Sequence, residues 1–170
     1  MKRISFLLIL FFLISAGCAP VISKQLREEV STDITFKEVI KDPEMYKGKL
    51  VLFSGVILGS KNTKEGTLIE MLQKPADIEG RPKDVDESDG RFLALYDGYL
   101  DTAIYGHGRE ALVAGKVKDK RVLPLGEIEY VYPLISIKEI HLFKVRKEEN
   151  FYPYPYPYGW YYPWRHYPYW

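Results

Sequence analysis

Two glycines stand inside runs that otherwise read as β-strands, and they limit the fold more than any other feature. Gly55 lies within Lys49–Leu58 and Gly115 within Ala111–Lys118, both runs rich in Val, Leu or Ala. Glycine in a strand interior marks a bulge or a sharp bend. Long strands that bend at fixed points curl, and a curled set of strands closes more readily than it stacks flat. Three further runs, Thr67–Leu72, Arg91–Tyr96 and Glu129–Phe143, bring the expected strands to five. In the last, the alternation of Ile135, Ile137 and Ile140 is disturbed near Pro133, so it reads as one long strand or a strand pair.

The connections have their own signals. Lys61–Gly66 is a turn-rich hairpin connection. Gln73–Asp89, with Pro75, Gly80, Pro82 and several acids, reads as a loop, and Asp119-Lys120 as a turn tip. Ahead of the strands, Thr35-Phe36-Lys37-Glu38 fits a capping box. Phe36, Val39 and Ile40 give a short apolar face, and Asp42-Pro43 stops the helix because proline disfavours helical geometry in the residue before it. The fold class expected is mainly β: a small OB-like Greek-key β-barrel behind a short N-terminal helix. Closure would hide the edges that an exported β protein otherwise exposes. An open sandwich of the same strands is the alternative.

The N-terminus carries an address. Lys2 and Arg3 precede an apolar run from Ile4 to Ile14, and small residues Ser15, Ala16 and Gly17 lead to Cys18. This is the secretory pattern, and the run is well short of the ~20 residues of a spanning helix. Ser15-Ala16-Gly17-Cys18 resembles the bacterial lipobox. That resemblance implies cleavage between Gly17 and Cys18 and acylation of the Cys18 thiol. The lipobox usually has Leu where Ser15 stands, and here Leu13 and Ile14 lie just upstream. A plain cleaved signal with an incidental cysteine is the competing reading. Cys18 is the only cysteine, so no internal disulfide can form. Each buried methylene of an acyl chain contributes about 0.8 kcal/mol, and two or more chains anchor stably where one does not. Ala19, in place of the Asp that retains lipoproteins in the inner membrane, implies transport to the outer membrane.

Composition sharpens the partner question. Loss of residues 1–17 removes two cations and no acid, moving the formal charge from +1 to about −1. A near-neutral chain has no electrostatic footprint for nucleic acid. Residues 19–33 are polar and without a clear period, and read as a tether. From Phe151 to Trp170 more than half of the residues are aromatic and proline recurs. Repeated proline blocks helix and ladder alike, so a disordered or polyproline II tail is expected. Aromatic rings with polar tips favour interfaces, which makes membrane, an envelope protein or a glycan the candidate partners of the tail. A low-complexity tail without a partner is the plainer reading. The organisation expected is a signal peptide over 1–17, the lipidated cysteine and tether over 18–33, a β-barrel domain over 34–146 and the aromatic tail over 147–170.

The ordered set of short motifs resembles the Slp family of outer-membrane lipoproteins, named for a starvation-inducible lipoprotein. It begins with Tyr46-Lys47-Gly48, Val51 and Gly55-Val56-Ile57. Ile69-Glu70-Met71-Leu72-Gln73-Lys74-Pro75 and Gly80-Arg81-Pro82 follow, then Ser88-Asp89-Gly90-Arg91-Phe92 and Gly98-Tyr99-Leu100-Asp101. Gly108-Arg109, Gly115-Lys116-Val117, Gly126-Glu127-Ile128-Glu129-Tyr130 and Tyr132-Pro133-Leu134 complete it. The resemblance covers Thr35 to Phe143 and the lipobox. It implies a lipid-anchored outer-membrane location with a stress or stationary-phase role, and no catalytic residues or cofactor.

Other candidates are weaker on chemistry. Tyr105-Gly106-His107-Gly108-Arg109 is glycine-rich but lacks the Lys-Ser/Thr ending of a phosphate loop, and reads as a tight turn. His107, His141 and His166 have no zinc-ligand spacing. Asp84, Asp86, Glu87 and Asp89 share a loop without the full calcium pattern. Ser88-Asp89-Gly90-Arg91 is expected to form a turn, with Arg91 pairing a nearby acid. Neither a nucleophile signature nor a metal site emerges. The function expected is therefore non-catalytic binding of a partner or surface. A small-ligand or oligosaccharide site on the barrel face is the alternative, and a hydrolase with an unrecognised site comes last.

Overall fold

The computed structural model describes residues 21–31 and 33–146. The signal peptide, Cys18 and the aromatic tail lie outside the described residues. Two short helices, α1 (Lys24–Glu29) and α2 (Phe36–Lys41), precede five strands: β1 (Leu50–Thr63), β2 (Gly66–Gln73), β3 (Arg91–Tyr96), β4 (Glu110–Leu125) and β5 (Ile128–Leu142). Strands β1, β2 and β3 pair antiparallel in order, β3 pairs parallel with β5, β5 pairs with β4, and β4 returns to β1. The sheet closes as a ring in the order β1-β2-β3-β5-β4. This is the expected mainly β, OB-like arrangement, and the β1–β4 ladder excludes the open sandwich. No helix among the described residues is long and apolar enough to cross a membrane.

Alternation along each strand places one set of side chains inside the ring. Val51, Phe53 and Ile57 of β1 meet Ile69 and Met71 of β2, Phe92 of β3, Val113 and Val117 of β4, and Ile135 of β5. Helix α2 closes one end. Its Phe36 and Val39 are buried in that core, and the Phe36, Phe53 and Phe92 rings meet at 5.1, 5.7 and 5.9 Å. The capping box forms as expected. The Thr35 backbone N–H donates to the Glu38 carboxylate at 2.8 Å, and the Glu38 N–H donates to the Thr35 hydroxyl at 3.3 Å. The Thr35 N–H, and the Thr35 hydroxyl donating to the same carboxylate oxygen at 2.8 Å, hold the Glu38 carboxyl below its ordinary value of 4.5.

The two interior glycines act differently. Gly115 sits at a register shift, as a bend requires. Gly55 is paired on both sides, and the shift in β1 falls between Ile57 and Gly59. Its smallness serves close approach instead: a Cβ there would lie 2.3 Å from the Leu72 carbonyl oxygen. Asp119-Lys120 is not a turn tip. Both residues lie in the β4–β5 ladder, opposite Leu134 and Pro133, next to a second bulge. The chain reverses at Gly126, where φ is 63°. The hairpin from β1 to β2 likewise turns only at Lys64-Glu65, because Lys61, Asn62 and Thr63 are in the ladder. Helix α1 occupies a stretch that has no clear period in sequence; its Lys24 and Glu28 pair at 3.7 Å.

Candidate functional site

The outward-facing side chains of the ring form two apolar patches. One is centred on β2, β3 and β5 and the other on β4 and the segment just after β5.

The first patch covers β2, β3 and β5: Leu68, Leu93, Leu95, Tyr132 and Leu134 are buried, with Tyr130 against them. Beside it lies a cavity of about 240 Å³ lined by Ser60, Lys61, Leu68, Glu70, Leu93 and Leu123. Leu123 comes from the far part of the β4–β5 hairpin, which leans over this face. The Arg121 guanidinium, 2.8 Å from the Glu65 carboxylate, ties the hairpin to the β1–β2 turn. Behind the cavity the Arg91 guanidinium donates to Glu70 at 3.0 Å and the Tyr132 hydroxyl donates to the same oxygen at 3.3 Å. Burial pushes the Tyr132 phenol up, and the neighbouring Glu70 charge adds to the shift. Tyr132 is therefore a neutral donor at ordinary pH. The Arg91 backbone N–H donates to the Tyr130 hydroxyl at 3.0 Å. Gly90 leaves the room: a Cβ there would come within 2.5 Å of that hydroxyl. The hairpin leaves Val122 and Ile128 51% and 61% exposed.

The second patch covers β4 and the end of β5. Leu112 and Ala114 are covered by Ile22 from the N-terminal arm and by Phe143, with Val21, Leu26 and Leu52 at the margin. The Ser23 backbone N–H donates to the Glu139 carboxylate at 3.2 Å, fixing the arm. The chain leaving β5 is clamped. Glu110 holds Arg81 at 2.6 Å and Arg146 at 3.0 Å. Arg81 also donates to the Lys144 carbonyl, Arg109 to the Phe143 carbonyl and Arg146 to the Pro82 carbonyl. The Arg81 guanidinium lies 5.4 Å from the Phe143 ring centroid.

The residues singled out in the sequence fall as follows. Cys18, Gly17 and His166 lie outside the described residues. Residues 105–109 form a turn, with the Arg109 N–H donating to the Gly106 carbonyl at 3.3 Å. His107 Nδ1 is 3.0 Å from the Leu58 carbonyl, and His141 meets the Phe143 ring at 4.8 Å. In the acidic loop, Asp89 pairs with Lys37 at 3.4 Å. Among the described residues no group of three or more His, Cys, Asp or Glu side chains could hold a metal ion. Arg91 does pair with an acid, Glu70. Sequence reasoning missed that Gly80-Arg81-Pro82 and Gly108-Arg109 converge with Glu110 on the exit of β5. It also missed that Glu70, Arg91, Tyr130 and Tyr132 form one cluster. The motifs themselves were visible; their meeting across the ring was not.

Several known proteins are similar to this chain. The outer membrane protein Slp of Escherichia coli (strain K12) is 25% identical over 152 residues, covering 88% of this chain and 79% of that protein. The uncharacterized lipoprotein YeaY of the same organism is 23% identical over 159 residues, covering 94% and 81%. Among solved structures, a small single-stranded DNA-binding protein from Streptomyces coelicolor is 12% identical with a TM-score of 0.35, covering 56% of this chain and 94% of that one. A putative aspartyl-tRNA synthetase from Leishmania major Friedlin is 14% identical with a TM-score of 0.36, covering 81% and 26%. The family model described as "Outer membrane lipoprotein Slp family" matches residues 15–170. The chain thus belongs to the outer membrane lipoprotein Slp family and is a lipid-anchored protein of the outer membrane.

Proposed function

We propose that this chain is a non-catalytic binding lipoprotein of the cell envelope, anchored by acyl chains on Cys18 and serving a stress or stationary-phase role through a protein partner. The observation that carries the reading is the surface on β2, β3 and the overhanging hairpin. Leu123 walls the cavity there and Ile128, on the same face of the hairpin as Leu123 and Tyr130, stands 61% exposed, while Val122 and Val131 are exposed on the hairpin's opposite face. A hairpin that exposes apolar side chains beside an apolar-walled cavity favours association with another protein. The family match supports the location, and neither the family name nor the relatives' names carry an enzymatic activity.

A second reading follows from the cavity. Lys61, Ser60 and Glu70 offer a cation, a hydroxyl and a carboxylate among leucines. OB folds use this side of the barrel for oligonucleotides and oligosaccharides, so a small polar ligand or envelope oligosaccharide is the alternative occupant.

In-cell crosslinking of the lipidated protein tests both. A partner captured by wild type and lost from an Ile128→Asp variant of unchanged melting temperature supports the first reading. Envelope oligosaccharides that raise the melting temperature, with the rise abolished in Lys61→Ala, favour the second. Equal capture by wild type and Ile128→Asp removes the hairpin surface from the account.

A further inference from the structure

On the outside of the ring, the ladders lay two rungs side by side across β1, β2 and β3. One runs Gly59, Glu70, Leu93 and the other Lys61, Leu68, Leu95. Cross-strand partners share a face, and Ile69 and Met71 between them point into the core. The first rung is incomplete. Gly59 has no side chain, and a Cβ built there would meet no atom within 4 Å. The backbone does not require a glycine at this position, since its φ is not in the left-handed region. The gap opens into the cavity of about 240 Å³, and Leu123 of the overhanging hairpin is its far wall.

The polar groups around this slot are unequally occupied. Glu70 holds the Arg91 guanidinium and the Tyr132 hydroxyl, and Glu65 holds Arg121. The Ser60 hydroxyl donates to the Tyr105 carbonyl at 2.8 Å. Lys61 lines the cavity, is exposed, and forms no ion pair among the described residues. The Glu70–Arg91 pair cancels its own charge, so the slot is left with leucine walls and one unmatched cation. Its volume is below the ~300–1,000 Å³ of sites for drug-sized ligands, which suits one slender chain. The described residues that line it include no aromatic ring and no side-chain amide, so a sugar would find no stacking platform. An ammonium is a compact point charge, whereas phosphate is matched best by the fork of a free guanidinium. One ammonium therefore matches one carboxylate.

We propose that this slot binds a single apolar chain ending in a carboxylate, an amphiphile of the fatty-acid class. The chain lies over Gly59 against Leu68, Leu93 and Leu123, and the carboxylate meets the Lys61 ammonium. The proposal rests on the reading of this cavity as a binding site and names its occupant.

The test uses the chain over 18–170 carrying Cys18→Ala, free of detergent, because detergent would compete for the slot. Decanoate, octanoate, decylammonium and maltohexaose are titrated by calorimetry and thermal melts, the amphiphiles below their micelle concentrations. The expected result is that decanoate binds and raises the melting temperature. Each methylene removed should weaken binding by up to about fourfold, and decylammonium should not bind. Lys61→Ala should weaken decanoate about tenfold, as loss of a hydrogen bond between charged groups does. Gly59→Leu fills the slot and should abolish binding with the ligand-free melting temperature unchanged; if it is destabilised, the exposed Lys61→Ala variant decides. Decylammonium binding as tightly as decanoate overturns the charge pairing. Decanoate binding untouched by Lys61→Ala and by a folded Gly59→Leu overturns the slot. Maltohexaose that binds wild type but not Gly59→Leu, with decanoate silent, overturns the carboxylate chain and leaves the cavity reading standing. Binding of neither ligand overturns both.

Discussion

The two outer faces of the ring are built from the same kinds of side chain and finished in opposite ways. On the β4 side, Ile22 and Phe143 cover the leucine and alanine beneath, and Arg81, Arg109 and Arg146 all donate to backbone carbonyls. On the β2–β3 side, Leu68, Leu93 and Leu134 are buried beneath Tyr130 and Tyr132, but the hairpin above leaves Val122 and Ile128 to solvent. One face is covered by Ile22 and Phe143, near the two ends of the described chain. The other is left with apolar surface that nothing in the described chain covers. The difference teaches that the segments around Ile22 and Phe143 are structural parts of this domain, and that the hairpin leaves apolar side chains over the other face uncovered by the described chain.

The largest effect should come from the residue that joins the faces. Gly115 lies in β4 between Ala114 of the closed face and Val117 of the interior. A Cβ there would approach the Ser136 carbonyl oxygen to 2.4 Å and Ile135 to 2.7 Å. Gly115→Val should destabilise by about 3 kcal/mol or more, since backbone cannot give way as a side chain can. Urea unfolding checks it, and a variant within 1 kcal/mol of wild type would show that the bend is not required.

Next in size, Ile22→Ala should cost about 2–4 kcal/mol for an isoleucine removed from a buried site. The loss should appear as undocking of residues 21–31. Hydrogen exchange resolves the comparison: faster exchange in the arm with unchanged protection of β2 and β3 keeps the two faces separate, and uniform loss merges them.

The smallest effect concerns pH at helix α2, which belongs to neither face. Hydrogen bonds from the Thr35 backbone and hydroxyl lower the Glu38 carboxyl, so the folded state favours the ionised form. That contribution is complete above the ordinary value of 4.5 and is lost as pH falls through the lower folded value. Wild type should lose stability below pH 4.5 more steeply than Glu38→Gln, measured by thermal melts across that range. Parallel curves would mean that the cap does not depend on the charge.

Much of the fold could be read before it was seen. Arg91–Tyr96 is a strand with the expected bounds, and the Thr35–Glu38 box forms with both reciprocal bonds. Both signals are local: alternation of burial within six residues, and a cap that closes over three. The misreadings share a cause. Asp119-Lys120 looks like a turn because polar pairs usually are, but here the ladder to Leu134 and Pro133 satisfies the backbone and solvent takes the side chains. The arm at Lys24–Glu29 shows no period because its helix buries none of its own residues; Ile22, just ahead of it, does the docking. For the candidate sites, Arg91 was expected to pair with a nearby acid, and the β2–β3 ladder supplies one in Glu70, 21 residues away. The meeting of Arg81 with Glu110 and Arg146 was not expected, since the partners lie 29 and more residues apart.

The sequence by itself determined what near neighbours can settle: the short capped helix, and five strands with a bend at Gly115. Those properties follow from composition and from interactions across a few residues. Only the tertiary structure decided that the ring closes through β1 and β4, that Ile22 and Phe143 share one face, and that the hairpin reaches over the other. Each of these depends on which strands become neighbours. That is fixed by burial of one common core, and residues far apart in the chain enter it together.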